Sequence, residues 1–353
     1  MKIRSITSFY DPASTRADRH IRRLAEVSEM LRLAISSQLE VQSTRLATSP
    51  FPLYLGDLRA PEMTARAAQM ERETRDLGWQ YLSLGPALPD HPGSYDSIPE
   101  MIRATENVFF SAVIAENTTI YPGAVMVGAH IIHHTAQVSA DGFANLRFAA
   151  LANVDAWTPF LPAAYHQAGS NPAISIAVEC ADIVIDAFSK DCRLEECRQS
   201  LLSSLQSAAN QLEETILPIL KGTGIKFKGF DFSPAPFPED WCSLARAAEQ
   251  LGLAHIGGLG SLAAVAFIAD TLDRGNWRKA GFNGLMLPLL EDSILAKRAA
   301  EELLTVKDLM LYATLCGTGL DTIPLAGDTT IEQLQAELMD IPAMSNRQGK
   351  PLT

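Results

Sequence analysis

Short apolar segments alternate with amphipathic stretches along almost all of this 353-residue chain, and that alternation restricts the fold more than any single motif does. Residues 3–9 read as a strand. A helix follows over 18–39, with Ile21, Leu24, Val27, Met30, Leu31, Ala34 and Ile35 recurring at helical spacing. Segments 41–47, 79–84, 108–115, 144–154, 173–178, 225–232 and 285–289 read as further strands. Between them, 61–77, 99–106, 122–138, 193–216, 239–251, 261–272, 294–303 and 306–315 read as helices. Parallel strands need crossovers long enough to hold a helix, so this order predicts the α/β class: a mostly parallel sheet covered by helices, open or closed into a barrel. The proline-rich stretches 84–99 and 233–238 can continue neither a helix nor a central strand and read as loops.

With 47% hydrophobic and 20% charged residues, the chain has the composition of a soluble globular protein with a large core, and we take 1–353 as a single domain. No apolar run approaches the roughly 20 residues that span a bilayer, and the opening MKIRSITSFYDPASTRADRH has no apolar stretch behind its charges. A cytoplasmic location without a membrane partner is therefore expected. A net charge of -12 repels phosphate backbones, and no basic run interleaved with aromatics offsets it, so a nucleic-acid partner is not expected. The five cysteines, at 180, 192, 197, 242 and 316, form an odd, scattered set, which reads as free thiols without disulfides.

The chemistry-bearing residues concentrate between 281 and 330. Cys316-Gly317-Thr318-Gly319-Leu320-Asp321 places a thiol among glycines, where backbone can approach a ligand closely, and Asp328 follows. Glu291 and Asp292 sit between an apolar strand-like segment and a helix, as an acid/base pair or as helix caps. His166 lies in a glycine- and proline-bounded loop as an acid/base candidate. Gly257, Gly258, Gly260 and Ser261 open a helix and offer N–H groups to an anion. The same run contains G-x-G-x-x-A, but Asn276 to Lys279 stand where a dinucleotide site needs an acid. His130, His133 and His134 share a helix face without a matched carboxylate or cysteine, and Cys192 and Cys197 point apart on a helix. No metal site is expected, and no cofactor is named by any motif.

Several segments together carry a resemblance: MKIRSIT, DSIPEMIRATENVFFSAVI, AAYHQAGSNPAISIAV, FKGFDFSPAPFP, GGLGSLAAVAFIADTLDRG, and the run from Cys316 to Thr329. In order and spacing the chain resembles an uncharacterised family of bacteria and archaea labelled PFL-like. That resemblance implies an α/β barrel like that of pyruvate formate-lyase and other glycyl radical enzymes, built of parallel-strand halves surrounded by helices. It does not imply radical chemistry here, because the Arg-Val-x-Gly-Tyr radical-glycine context is missing. Cys316 is the position that maps onto a central thiol. Where the family tends to carry a further cysteine this chain has Phe109, and family members usually continue past Thr353 with another strand-like segment.

The resulting expectation is a homo-oligomeric protein that binds a small, anionic metabolite at the barrel mouth. Cys316, Asp321, Asp328, Glu291, Asp292 and His166 would converge there, and Gly257, Gly258, Gly260, Ser261, Gly317 and Gly319 would line the ligand. The alternatives are a non-catalytic binding or scaffold protein on the same barrel and an NAD(P)-dependent oxidoreductase.

Overall fold

The computed structural model describes residues 1–56, 58–188, 193–318 and 322–353. The strands are β1 (Lys2–Tyr10), β2 (Thr44–Thr48), β3 (Tyr81–Ala87), β4 (Val108–Glu116), β5 (Thr119–Ile120), β6 (Phe148–Ala152), β7 (Ala173–Glu179) and β8 (Lys226–Asp231). The helices of the first half are α1 (Ala17–Ser36), α2 (Pro52–Leu55), α3 (Ala60–Asp76), α4 (Gly93–Asp96), α5 (Ile98–Ala104) and α6 (Pro122–Thr135). Those of the second half are α7 (Ala181–Ala187), α8 (Leu194–Leu220), α9 (Leu244–Gln250), α10 (Ser261–Asp273), α11 (Ser293–Ala300), α12 (Val306–Cys316) and α13 (Ile331–Gln348). No described helix is long and apolar enough to cross a membrane.

Among the described residues the strands form one mixed sheet, in the order β5-β4-β3-β2-β1-β7-β8, with β6 also on β4. β1, β2, β3, β4 and β6 pair in parallel, as do β7 and β8, and the two sets meet antiparallel where Ile6 faces Ile176. The expected α/β class is therefore found: a large sheet packed by helices.

Residue alternation sorts the strands into two faces. Ile6, Leu46, Leu82, Leu84, Phe110, Ile174 and Ile176 join the main core with Leu24, Val27, Leu31 and Ile35 of α1 and Leu201 and Leu205 of α8. Each such side chain, fully buried, contributes about 2 kcal/mol.

The opposite face carries small polar and aromatic residues, and the 153–172 segment runs across it. Thr7 Oγ1 donates to Pro159 O at 2.9 Å, Ser83 Oγ to Ala164 O at 2.7 Å, and His166 N to Thr48 O at 2.9 Å. This segment contains no cysteine.

Isolated bridges and single backbone bonds, rather than ladders, tie the irregular stretches to β6, β8 and one another. Ala152 and Leu352 exchange bonds of 2.9 Å, Thr353 N donates to Thr318 O, Leu285 N to Cys316 O, Met286 N to Pro234 O, and Phe230 N to Arg278 O.

Three expectations need correction. Residues 285–289 form no strand, because Leu285 and Met286 spend their N–H groups on two different irregular stretches and Pro288 has none to give. The 84–99 stretch is not wholly loop: it begins with the end of β3 and contains α4. Cys197 is disulfide-bonded, so the thiols are not all free; Cys180, Cys242 and Cys316 are buried.

Candidate functional site

The inner face of the sheet, the one that the 153–172 segment crosses, opens on a cavity of about 270 Å³. Successive strands each contribute an early inward residue: Arg4 from β1, Arg45 from β2, Tyr81 from β3, Phe109 from β4 and Ala149 from β6. Phe160, Leu161 and Pro162 of the crossing segment close one side, and Phe282, Met286, Glu291, Thr318, Thr322 and Thr353 close the other. The cavity is thus apolar and aromatic in its walls, with two guanidinium groups and several hydroxyls among them.

The two arginines decide its electrostatics. Arg4 lies 5.6 Å from the Phe160 ring and reaches Glu291 Oε2 at 3.7 Å, a loose contact to a half-exposed carboxylate. Arg45 donates to Ser43 Oγ at 3.0 Å and stands 6.0 Å from the Tyr81 ring. Among the described residues it makes no ion pair. Burial, with the Arg4 charge adding to it, lowers Arg45 to about 9 from its ordinary 12.5. A guanidinium held that far down is a charge lacking compensation, and a bound anion would supply it.

The residues singled out from the sequence are dispersed. Glu291 lines the cavity. Cys316 sits behind its wall: it is buried at the end of α12, with Sγ 3.5 Å from Thr318 Oγ1, and Thr318 is the residue that faces the cavity. Gly317 caps α12 in the left-handed conformation. Asp328 is exposed, and Asp321 and Gly319 lie outside the described residues.

Asp292 is buried and turned to helix ends, as the capping reading expects. Its Oδ1 accepts from Ser243 Oγ and from the N–H groups of Ile294 and Leu295; Oδ2 accepts from those of Leu244 and Ala245. One carboxylate therefore serves the N-termini of both α9 and α11. Asp292→Ala is expected to cost about 2 kcal/mol, one cap at each helix. Urea denaturation measures this, and a loss below the error of the method would contradict the double cap.

His166 is buried on the crossing segment, edge-on to Trp157 at 4.8 Å, with Nε2 at 3.3 Å from Asn171 O and Nδ1 without a hydrogen bond among the described residues. Burial drives its pKa down to about 4. It does not line the cavity of the arginines.

Gly257, Gly258, Gly260 and Ser261 form a turn that closes on itself: Gly257 N donates to Ser261 Oγ, and Ser261 Oγ donates to Gly258 O. Turns, not a strand, precede α10, so the strand that a dinucleotide fingerprint requires before its glycines is missing. His134 Nδ1 bonds back to His130 O on its own helix. No three described His, Cys, Asp or Glu side chains stand close enough to hold a metal ion.

Sequence reasoning missed Arg4 and Arg45. Their signal was available: Arg45 is the lone cation of TRLAT, and Arg4 stands among apolar and small residues inside KIRSITSFY, whose other cation, Lys2, is the first residue of the strand. A buried strand accepts such a residue only where its face opens on something polar.

Fold and site together define a mixed α/β protein with an arginine-bearing aromatic cavity on the inner face of its sheet. The chain belongs to the family described as Uncharacterised ACR (DUF711), whose model matches residues 1–353. It is similar to a UPF0210 protein of Pyrobaculum arsenaticum, at 28% identity with 97% of this chain and 78% of that one covered. A UPF0210 protein of Pyrobaculum aerophilum matches at 29%, covering 90% and 74% of the two chains. One from Methanopyrus kandleri matches at 30%, covering 72% and 58%.

Proposed function

We propose that this protein binds a small anionic metabolite with an apolar or aromatic body in the inner-face cavity. Arg45, together with Arg4, would receive the carboxylate or phosphate. The observation that carries this reading is the Arg45 guanidinium, lowered to about 9 and without an ion pair among the described residues, on the wall of a cavity of about 270 Å³. Tyr81, Phe109 and Phe160 would hold the apolar body, and Thr318 and Thr353 would meet its polar substituents.

The sheet is read as a barrel of two parallel halves, related to the glycyl radical enzymes. The antiparallel meeting of β1 and β7 supports this, as do the backbone bonds that lead from β6 through Leu352, Thr318 and Leu285 towards Pro234. The 153–172 segment would then thread the interior. It has no thiol to offer, and Glu291 is the carboxylate on the described cavity wall. These two facts favour a binding protein over the second reading, an enzyme that uses Glu291 as acid or base.

Benzoate, as an aromatic carboxylate, is the first probe. It should raise the melting temperature of the wild-type protein in a saturable way. Arg45→Gln should weaken it about 30-fold, or roughly 2 kcal/mol, the worth of a charge-assisted hydrogen bond. Arg45→Lys should recover part of that loss. If no small carboxylate or phosphate stabilises the protein, or if Arg45→Gln binds as well as wild type, the anion reading is wrong.

A further inference from the structure

The sequence RADRHIRR, residues 16–23, puts five basic side chains on the start of α1 in a chain whose net charge is -12. Arg16, Arg19, His20 and Arg23 recur at i, i+3, i+4 and i+7 and so share one helix face, with Arg22 beside it. They wall a cavity of about 580 Å³, whose opposite side is Asn171, Pro172 and the turn from Gly222 to Ile225. This cavity is separate from the one that Arg4 and Arg45 line.

The cluster is undercompensated. Arg23 is held by Glu26, which also lines the cavity, at 2.7 Å. Among the described residues Arg16, Arg19 and Arg22 make no ion pair. Asp18 lies away from the face of Arg16, Arg19, His20 and Arg23 and one turn before Arg22, makes no ion pair with it among the described residues, and does not line the cavity. The half-buried imidazole of His20 is held below its ordinary pKa by burial and by the charges of Arg16 and Arg19.

Like charges three and four residues apart destabilise a helix, and the positive end of the macrodipole of this 20-residue helix adds to the repulsion. In an acidic protein such an arrangement has a cost that a bound polyanion would remove. A concave space of this volume suits a small molecule rather than a duplex, and the overall negative charge opposes a long nucleic acid. Several guanidinium groups around one space offer more donors and more charge than a single carboxylate can satisfy, which favours a ligand with several phosphate groups.

We infer that this cavity binds a small polyphosphate, of inorganic triphosphate or nucleoside triphosphate size, through Arg16, Arg19 and Arg22. The inference does not rest on the inner-face cavity. The site also adjoins the segment that crosses that face: Asn171 accepts from His166, and Gly169 N donates to Asp11, just ahead of α1.

Isothermal titration of the full chain with inorganic triphosphate, ATP and orthophosphate tests it. Triphosphate should bind one-to-one, more tightly than orthophosphate, with an affinity that falls as salt rises. ATP binding like triphosphate would show that the phosphates suffice, and tighter ATP binding that the nucleoside adds contacts. Arg16→Glu with Arg19→Glu should weaken triphosphate at least about 30-fold, and the milder Arg19→Gln roughly 5-fold. Both should leave the benzoate response unchanged. The inference fails if wild-type protein ignores triphosphate at low salt, if a soluble circular-dichroism-normal Arg19→Gln binds it undiminished, or if polyglutamate binds as tightly.

Discussion

Replacing Gly257 by alanine is expected to remove about 4 kcal/mol of stability, the sum of a left-handed backbone penalty and an overpacking term. Gly257 has φ +96°, and a Cβ built there would lie 1.9 Å from Leu303 O and 2.8 Å from its carbonyl carbon. Backbone on both sides leaves no flexible side chain to move aside. Gly258 is the natural control: its φ is not in the left-handed region, and a Cβ there meets the His255 ring at 2.9 Å, which can rotate away. Gly258→Ala should therefore cost about 1 kcal/mol or less. Chemical denaturation of the two variants compares them directly. Near-equal losses would mean that the turn is not pressed against the Leu303 backbone, and would reopen a ligand role for Gly257.

That pair of glycines also shows why the sequence misled about the site. A glycine required by close backbone packing and one required by a ligand look alike in one dimension; what separates them is Leu303, 46 positions away. The elements were far more legible. The stripe of Leu24, Val27, Leu31 and Ile35 and the alternation in β1, β4 and β7 are local patterns with local causes. Two failures have local explanations as well. The 285–289 segment has strand-like composition, but its hydrogen bonds go to Cys316 and Pro234 instead of a partner strand. Helix α13 escaped notice because Pro342 interrupts its pattern, although Thr330 and Gln333 form a capping box that marks its start.

The arginine cavity was harder to foresee, because no two of its strand residues are close in sequence. Arg45, Tyr81 and Phe109 come together only through the pairing of β2 with β3 and β3 with β4, at registers that send them to one face, and Arg4 joins them from the irregularity between Ile3 and Ser5 of β1. Cys316, attractive for its glycines, is by contrast separated from that space by Thr318.

Asp231→Asn is expected to change how stability depends on pH, by about 3 kcal/mol between pH 4 and 6.5. Asp231 is fully buried and accepts from Ser233 N, Ser233 Oγ, Phe282 N and Asn283 N. Burial outweighs those donors and raises its pKa from 3.8 to about 6. With the folded pKa above the unfolded one, the native state holds the extra proton. Its contribution is complete below about pH 4 and is lost as pH rises through about 6. His166 runs the other way. Its pKa falls from 6.5 to about 4, so its contribution is complete above 6.5 and is lost as pH drops towards 4. Each shift spans about two pH units, worth roughly 3 kcal/mol, so in the wild-type protein the two slopes largely cancel over this interval. Removing the acid should unmask the imidazole: Asp231→Asn gains stability as pH rises from 4 to 6.5, relative to wild type. His166→Gln should do the reverse, and the double variant should again track the wild-type slope. Urea denaturation at closely spaced pH values reads all four curves, and parallel profiles for wild type and Asp231→Asn would show that the carboxyl group titrates alike in the folded and unfolded chain.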